Sequence, residues 1–247
     1  MKLRQNVSLL LVFLLIISCS PVKKLQKKPI GLINNVSFFD SSFDNPNASN
    51  GFLVTHKNTT YGVTAKHVLM ITKTDKMKVV DFEGDLKEWK MHPKNSKSEY
   101  VVMDKLLNPN KTDSLTWDYM YTNWDNYDDW IIFSIKENKS KHNPLKFRNT
   151  PLEKGESLYA IGWSYGDTTG IQRVYEYAYE KTEGNYHNLI QIKGPTNLGG
   201  LSGSPIVDKK GKLVGLVTSG WEDEKTKEVI LEATSTKNML NFFSKLE

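Results

Sequence analysis

The sequence predicts an all-β protein, because short apolar or aromatic stretches recur at strand length, turn signals separate them, and helical periodicity is confined to the C-terminal end. The stretches are 50–55, the residues leading from Tyr61 into His67, 77–82, 100–103, 131–135, 158–163, 174–179, 189–192, 205–207, 213–218 and 229–233. Between them stand the turn signals of 56–60, Glu83-Gly84-Asp85, Asn108-Pro109-Asn110, Glu183-Gly184-Asn185 and Lys209-Lys210-Gly211-Lys212. Many short strands without intervening helices call for a sandwich or a barrel. The ending differs: apolar residues at 239, 240, 242, 243 and 246 share one helical face, with Thr234, Ser235 or Thr236 as N-cap.

At the other end, Lys2 and Arg4 precede a largely apolar run of 11 residues, 7–17, too short to cross a bilayer as a helix. It closes on Ile16-Ile17-Ser18-Cys19, which resembles a bacterial lipobox. That resemblance implies a signal peptide over 1–18 and a lipidated Cys19 as first mature residue, anchored at the outer membrane or cell surface of a bacterial envelope. Cys19 is the one cysteine of the chain, so no internal disulfide is available, and no cluster of ligands suggests a metal. The basic, proline-bracketed stretch that follows reads, over 19–35, as a tether holding a domain of 36–247 off the membrane. The net charge of +5 is accounted for by this stretch together with Lys2 and Arg4, which leaves the remainder near neutral and gives no reason to expect a nucleic-acid partner.

Chemistry is concentrated in three places. Gly199-Gly200-Leu201-Ser202-Gly203-Ser204-Pro205 sets a serine among small residues at the mouth of a hairpin. A nucleophilic serine needs an exposed hydroxyl with backbone N–H groups beside it that are free to hold an oxyanion, and glycine permits the turn that aligns them. A glycine-rich turn without chemistry has the same local signature, so the partners decide. His67 ends the strand in Thr64-Ala65-Lys66-His67, whereas His56, His92, His142 and His187 lie in loop-like surroundings. Asp129 opens the apolar run Trp130-Ile131-Ile132-Phe133, where it is buried enough to orient an imidazole. Its neighbour Asp128 faces the other way along a strand and is the rival; Asp118 and Asp125 read as solvated loop carboxylates.

These three segments, with Leu158-Tyr159-Ala160-Ile161-Gly162, resemble the trypsin/chymotrypsin-like serine peptidases in their bacterial, disulfide-free branch. The order His, Asp, Ser is the one that fold uses. The resemblance implies two packed antiparallel six-stranded β-barrels, divided near 140–153, and a C-terminal helix. It implies Ser202 as nucleophile, His67 as base and then acid, Asp129 as the residue fixing the imidazole, and the N–H groups of Gly200 and Ser202 as oxyanion hole. The substrate would be a protein or peptide, and no cofactor is expected. Leu201 stands where vertebrate members carry an aspartate that pairs with a newly freed N-terminal ammonium, so activation by that route is not expected. The resemblance assigns the wall of the primary pocket to Thr196, Asn197, Val217, Thr218 and Gly220, none of them charged, which implies cleavage after uncharged residues unless Glu228 reaches in. The tract 87–127, rich in tryptophan and tyrosine, has no counterpart in the resemblance; such residues pack a loop or form a binding face. A member of this fold that binds peptides without cleaving them is the alternative function.

Overall fold

The computed structural model describes residues 20–72, 84–108 and 116–246. The strand expected at 77–82 lies outside them, as do Cys19 and the expected signal peptide. Six strands close the first barrel: β1 (Leu32–Phe38), β2 (Asn50–His56), β3 (Thr59–Thr64), β4 (Leu86–His92), β5 (Val101–Leu106) and β6 (Ile131–Asn138), in the order β1-β2-β3-β6-β5-β4. The two-residue β7 (Lys146–Phe147) lies on the crossing to the second barrel. That barrel comprises β8 (Ser157–Gly162), β9 (Arg173–Glu183), β10 (Tyr186–Lys193), β11 (Pro205–Asp208), β12 (Lys212–Glu222) and β13 (Val229–Ser235), in the order β11-β8-β9-β10-β13-β12 and closed by β11 pairing with β12. Neighbours within both barrels are antiparallel; β7 alone runs parallel, beside β12.

Side-chain alternation explains the two cores. On β8, Leu158 and Ala160 join the core of the second barrel, while Tyr159 and Ile161 join the larger cluster that spans the first barrel and the seam. On β11, Ile206 and Val207 divide in the same way, and β12 sends Val214 to one cluster and Leu213 and Leu216 to the other. Strands buried on both faces read as continuous apolar runs, which is why these segments were conspicuous in the sequence. In the first barrel, small residues make room for large ones. A Cβ on Gly51 would lie 2.8 Å from Met91 Sδ, so glycine on β2 is what admits the thioether of β4.

Four short helices decorate the barrels: α1 (Pro21–Gln26), α2 (Val68–Thr72), α3 (Trp117–Thr122) and α4 (Lys237–Phe243). The C-terminal α4 is the expected helix, begun at Thr236, with Met239 and Phe243 buried. The Phe243 ring stacks on His56 at 4.9 Å and meets Phe147 at 5.7 Å, docking the helix on β2 and β7.

The stretch expected to be a tether is folded. Pro21 starts α1, Leu25 is buried, and the buried Gln172 of the second barrel binds the segment with four hydrogen bonds. Its Nε2 donates to the carbonyls of Leu25 (3.0 Å) and Lys28 (2.5 Å), and its Oε1 accepts from the N–H groups of Ile30 (3.0 Å) and Gly31 (2.9 Å). The domain therefore begins before residue 36, because β1 starts at Leu32 and closes the barrel against β4. Lys23, Lys24 and Lys27 are exposed, so the basic composition that suggested a solvated linker belongs to one helix face and its end.

Burial pushes the His187 imidazole of β10 down to about 4 from its ordinary 6.5, and its Nδ1 stands 2.8 Å from the Thr182 hydroxyl. The unfolded chain takes up this proton first, so the contribution is complete above pH 6.5 and is lost as the pH falls toward 4. The loss is on the order of 3 kcal/mol. Thermal unfolding followed between pH 7 and 4 is expected to fall more steeply for the native chain than for His187→Gln; parallel curves would exclude this source.

Candidate active site

The pairing of β3 with β6 aligns Thr64 with Ile131. His67, three residues past Thr64, and Asp129, two before Ile131, are therefore brought together where both strands leave the sheet. The contact is double: the His67 backbone N–H donates to Asp129 Oδ1 at 2.8 Å, and its ring Nδ1 lies 2.7 Å from Oδ2. Asp129 is wholly buried and His67 nearly so. Burial opposes the charge on Asp129, yet the histidine charge, the two bonds from His67 and a hydrogen bond from the Thr218 hydroxyl together hold its carboxyl below the usual carboxylate range. Asp128 points elsewhere and accepts from Asn185 Nδ2 (3.1 Å) and Asn238 Nδ2 (2.8 Å). Of the two candidate acids, Asp129 is the one bonded to the imidazole.

Ser202 is half-buried on the loop between β10 and β11. The loop is fixed from both barrels. Gly203 N–H donates to Val217 O at 2.8 Å, and the Asn50 N–H donates to Ser202 O at 2.9 Å. Gly203 has φ +75°, and a Cβ there would lie 2.2 Å from Asn50 O and 2.6 Å from Thr64 Oγ1, so the serine loop rests directly on the ends of β2 and β3. This close approach sets Ser202 beside the segment that carries His67. Among the described residues no hydrogen bond joins the Ser202 hydroxyl to His67; such bonds commonly tighten only when substrate is bound.

The expected oxyanion groups are oriented by their neighbours. Gly199 O accepts from Tyr165 N–H at 2.8 Å, and a trans peptide turns the Gly200 N–H the opposite way. Gly200 has φ +89°, and its carbonyl accepts from Asn50 Nδ2 at 2.5 Å and Ser49 Oγ at 3.2 Å. Among the described residues, neither the Gly200 nor the Ser202 N–H has a hydrogen-bond acceptor. Leu201, between them, is fully buried in the core of the second barrel. Apolar packing thus holds the loop at Leu201.

Asn50 had no signal in the sequence beyond opening a strand. Buried at the seam, its Nδ2 also donates to Trp163 O at 2.9 Å, its Oδ1 accepts from Trp163 N–H at 3.1 Å, and Asn34 Nδ2 donates to its carbonyl at 2.9 Å. Lys66, next to His67, is likewise buried, with Nζ 4.4 Å from the centre of the Tyr127 ring; burial lowers its pKa against the pull of Asp129 and Asp128.

The five residues expected to wall a primary pocket do not share one surface. Thr196 and Asn197 are exposed, and Asn197 Oδ1 accepts from Gly199 N–H at 2.8 Å. Val217 is turned into the barrel core, and the Thr218 hydroxyl faces Thr234 Oγ1 at 2.7 Å and Asp129. Gly220 is exposed, and a Cβ there would lie 2.4 Å from Leu198 Cδ1, so the two residues are in contact. Glu228 is exposed in the β12–β13 turn. No group of three or more metal-binding side chains is present among the described residues.

With this geometry in view, the comparisons agree with the fold. A family model for the trypsin-like peptidase domain matches residues 49–216, and the chain belongs to that family. No curated protein matches the sequence. Among solved structures, it is similar to the active form of the Rv3671c protease from M. tuberculosis, with TM-score 0.57 and 12% identity over 91% of this chain and 83% of that one. The inactive form of that protease gives TM-score 0.52 and 12% identity over 91% of each chain. An inactive serine-to-alanine mutant gives TM-score 0.54 and 11% identity over 92% of this chain and 90% of the other. At these identities the likeness is one of fold.

Proposed function

We propose that the chain is a serine endopeptidase working through Ser202, His67 and Asp129. The observation that carries this is the buried, doubly bonded His67–Asp129 pair beside a serine loop with two unengaged N–H groups. Asp129 holds the proton on Nδ1 and so leaves Nε2 as a base. Ser202 Oγ attacks the peptide carbonyl as Nε2 takes its proton, and the tetrahedral oxyanion is held by the N–H groups of Gly200 and Ser202. The imidazolium then protonates the leaving amine, giving an acyl-enzyme and free amine. Water, deprotonated by the same imidazole, releases the acid and restores Ser202. Burial of Leu201 supports a loop that stands ready without a new N-terminus. Leu198 and Gly220, in contact beside the serine loop, offer no charge to pair with, which favours an uncharged side chain before the scissile bond. We further propose that Cys19 carries lipid and tethers the enzyme to a bacterial envelope.

One experiment tests both parts. Cells producing the chain are fractionated and treated with a fluorophosphonate probe. A labelled band is expected with the membranes; Ser202→Ala abolishes the label, and Cys19→Ser moves it to the soluble fraction or blocks processing. Folded protein that takes no label would favour a peptide-binding module. Unchanged partition together with a free thiol in the intact mass would remove the anchor.

A further inference from the structure

The tract that had no counterpart in the resemblance supplies a continuous surface leading away from His67. Thr116 caps α3 by accepting from Tyr119 N–H at 3.1 Å. The helix then sets Trp117 and Tyr121 four residues apart on one face, their rings 6.2 Å apart. Trp117 lies 6.0 Å from the His67 ring at one end of this row, and Trp124 stacks 6.2 Å from Tyr121 at the other. Trp117 and Tyr121 are 44% and 66% exposed, so part of each ring is open to a ligand.

The row ends at a carboxylate. Trp124 Nε1 donates to Glu232 Oε1 at 3.3 Å, and Ser219 Oγ donates to Oε2 at 2.6 Å. Ser219 pairs with Glu232 across β12 and β13 and follows Thr218, whose hydroxyl returns to Asp129. The contacts therefore form a ring from His67 through the aromatic row to Glu232, then back along β12. Glu232 is half-buried, each oxygen has spent one acceptor position, and one remains on each. Burial raises the Glu232 carboxyl above the usual carboxylate range against the two bonds it accepts, with a smaller push from Glu183, so a bound cation would restore its charge.

An open row of indole and phenol faces ending in a carboxylate is a complement for an organic cation. We propose that this surface is a subsite for the lysine or arginine side chain of a peptide substrate, within about four residues of the scissile bond on either side, with the aromatic rings taking the cation and Glu232 its counter-charge. This rests on the peptidase reading for its place in catalysis, but the binding can be read without turnover.

Peptides that differ only in carrying lysine, arginine or uncharged norleucine at each of these positions are compared in kcat/KM. At one position the basic peptide is expected to be favoured about tenfold over norleucine, with the ratio falling to about one in Glu232→Gln and dropping in Tyr121→Ala, which alters an exposed side chain. Because the readout is a ratio, a general loss of activity cancels. The same pairs are titrated onto Ser202→Ala by fluorescence anisotropy. If nothing is cleaved but the basic peptide still binds more tightly, the subsite stands and the catalytic reading falls. A ratio near one in both assays, a preference for norleucine, or a ratio unchanged in Glu232→Gln overturns the subsite.

Discussion

Ser202→Ala and His67→Ala are each expected to lower kcat on a peptide substrate by roughly five to six orders of magnitude, as members of a unit whose single losses are nearly as costly as the joint one. Circular dichroism should remain native, since Ser202 is half-buried and its backbone supplies its bond to Asn50. Asp129→Asn is expected to cost about 10⁴-fold by a different route. The carboxamide can still accept from the His67 backbone N–H, but its NH₂ would face Nδ1 and drive the ring proton to Nε2, where the base is needed. Asp128→Asn alters hydrogen bonds to Asn185 and Asn238 and not to the imidazole, and should change kcat less than threefold or so. Loss of activity in Asp128→Asn with retention in Asp129→Asn would reverse the assignment.

Asn50→Ala is expected to lower kcat about 10²- to 10³-fold with little change in KM, the size of effect seen when an oxyanion donor is lost. Asn50 touches no reacting atom and acts by position. Its Nδ2 fixes the Gly200 carbonyl and the Trp163 carbonyl, and its Oδ1 takes the Trp163 N–H. Without it the Gly200 carbonyl keeps only the Ser49 hydroxyl, the loop carrying the Gly200 and Ser202 N–H groups is held less firmly, and the Trp163 carbonyl and N–H lose their partner at about 1–3 kcal/mol each. The melting temperature should therefore drop as well. Asn50→Asp keeps the size of the side chain but offers a carboxylate to two carbonyls, and should be at least as impaired. A variant that melts lower while keeping native kcat would reduce Asn50 to a structural role.

The parts of this architecture that could be read in advance are those where sequence and environment correspond one to one. Strands buried on both faces, such as β8 and the first half of β12, are apolar runs, and glycines around Ser202 mark a backbone that other residues cannot follow. β1 and β4 escaped notice because Leu32-Ile33-Asn34-Asn35-Val36 and Leu86-Lys87-Glu88-Trp89-Lys90 carry polar residues on their inner or outer faces. Asn34 is buried among four acceptors at the seam, which only the fold creates. The basic stretch near residue 25 was misread for the converse reason: one buried leucine and a distant glutamine outweigh several solvated lysines. The pocket wall rested on the resemblance alone, with no local pattern along β12 to support it. The register shift between Val217 and Ser219 against β13 breaks the alternation there, so which side chains faced the substrate could not be settled by parity. Glu232, across that shift, escaped with it.

The clasp made by Gln172 bears on how the domain carries load. Tension applied upstream of Ser20 meets, before it reaches β1, four hydrogen bonds arranged side by side on a residue of the second barrel. These bonds must part before the load reaches β1, and until then Gln172 passes it to the second barrel. A pull on the chain is thus delivered to both barrels.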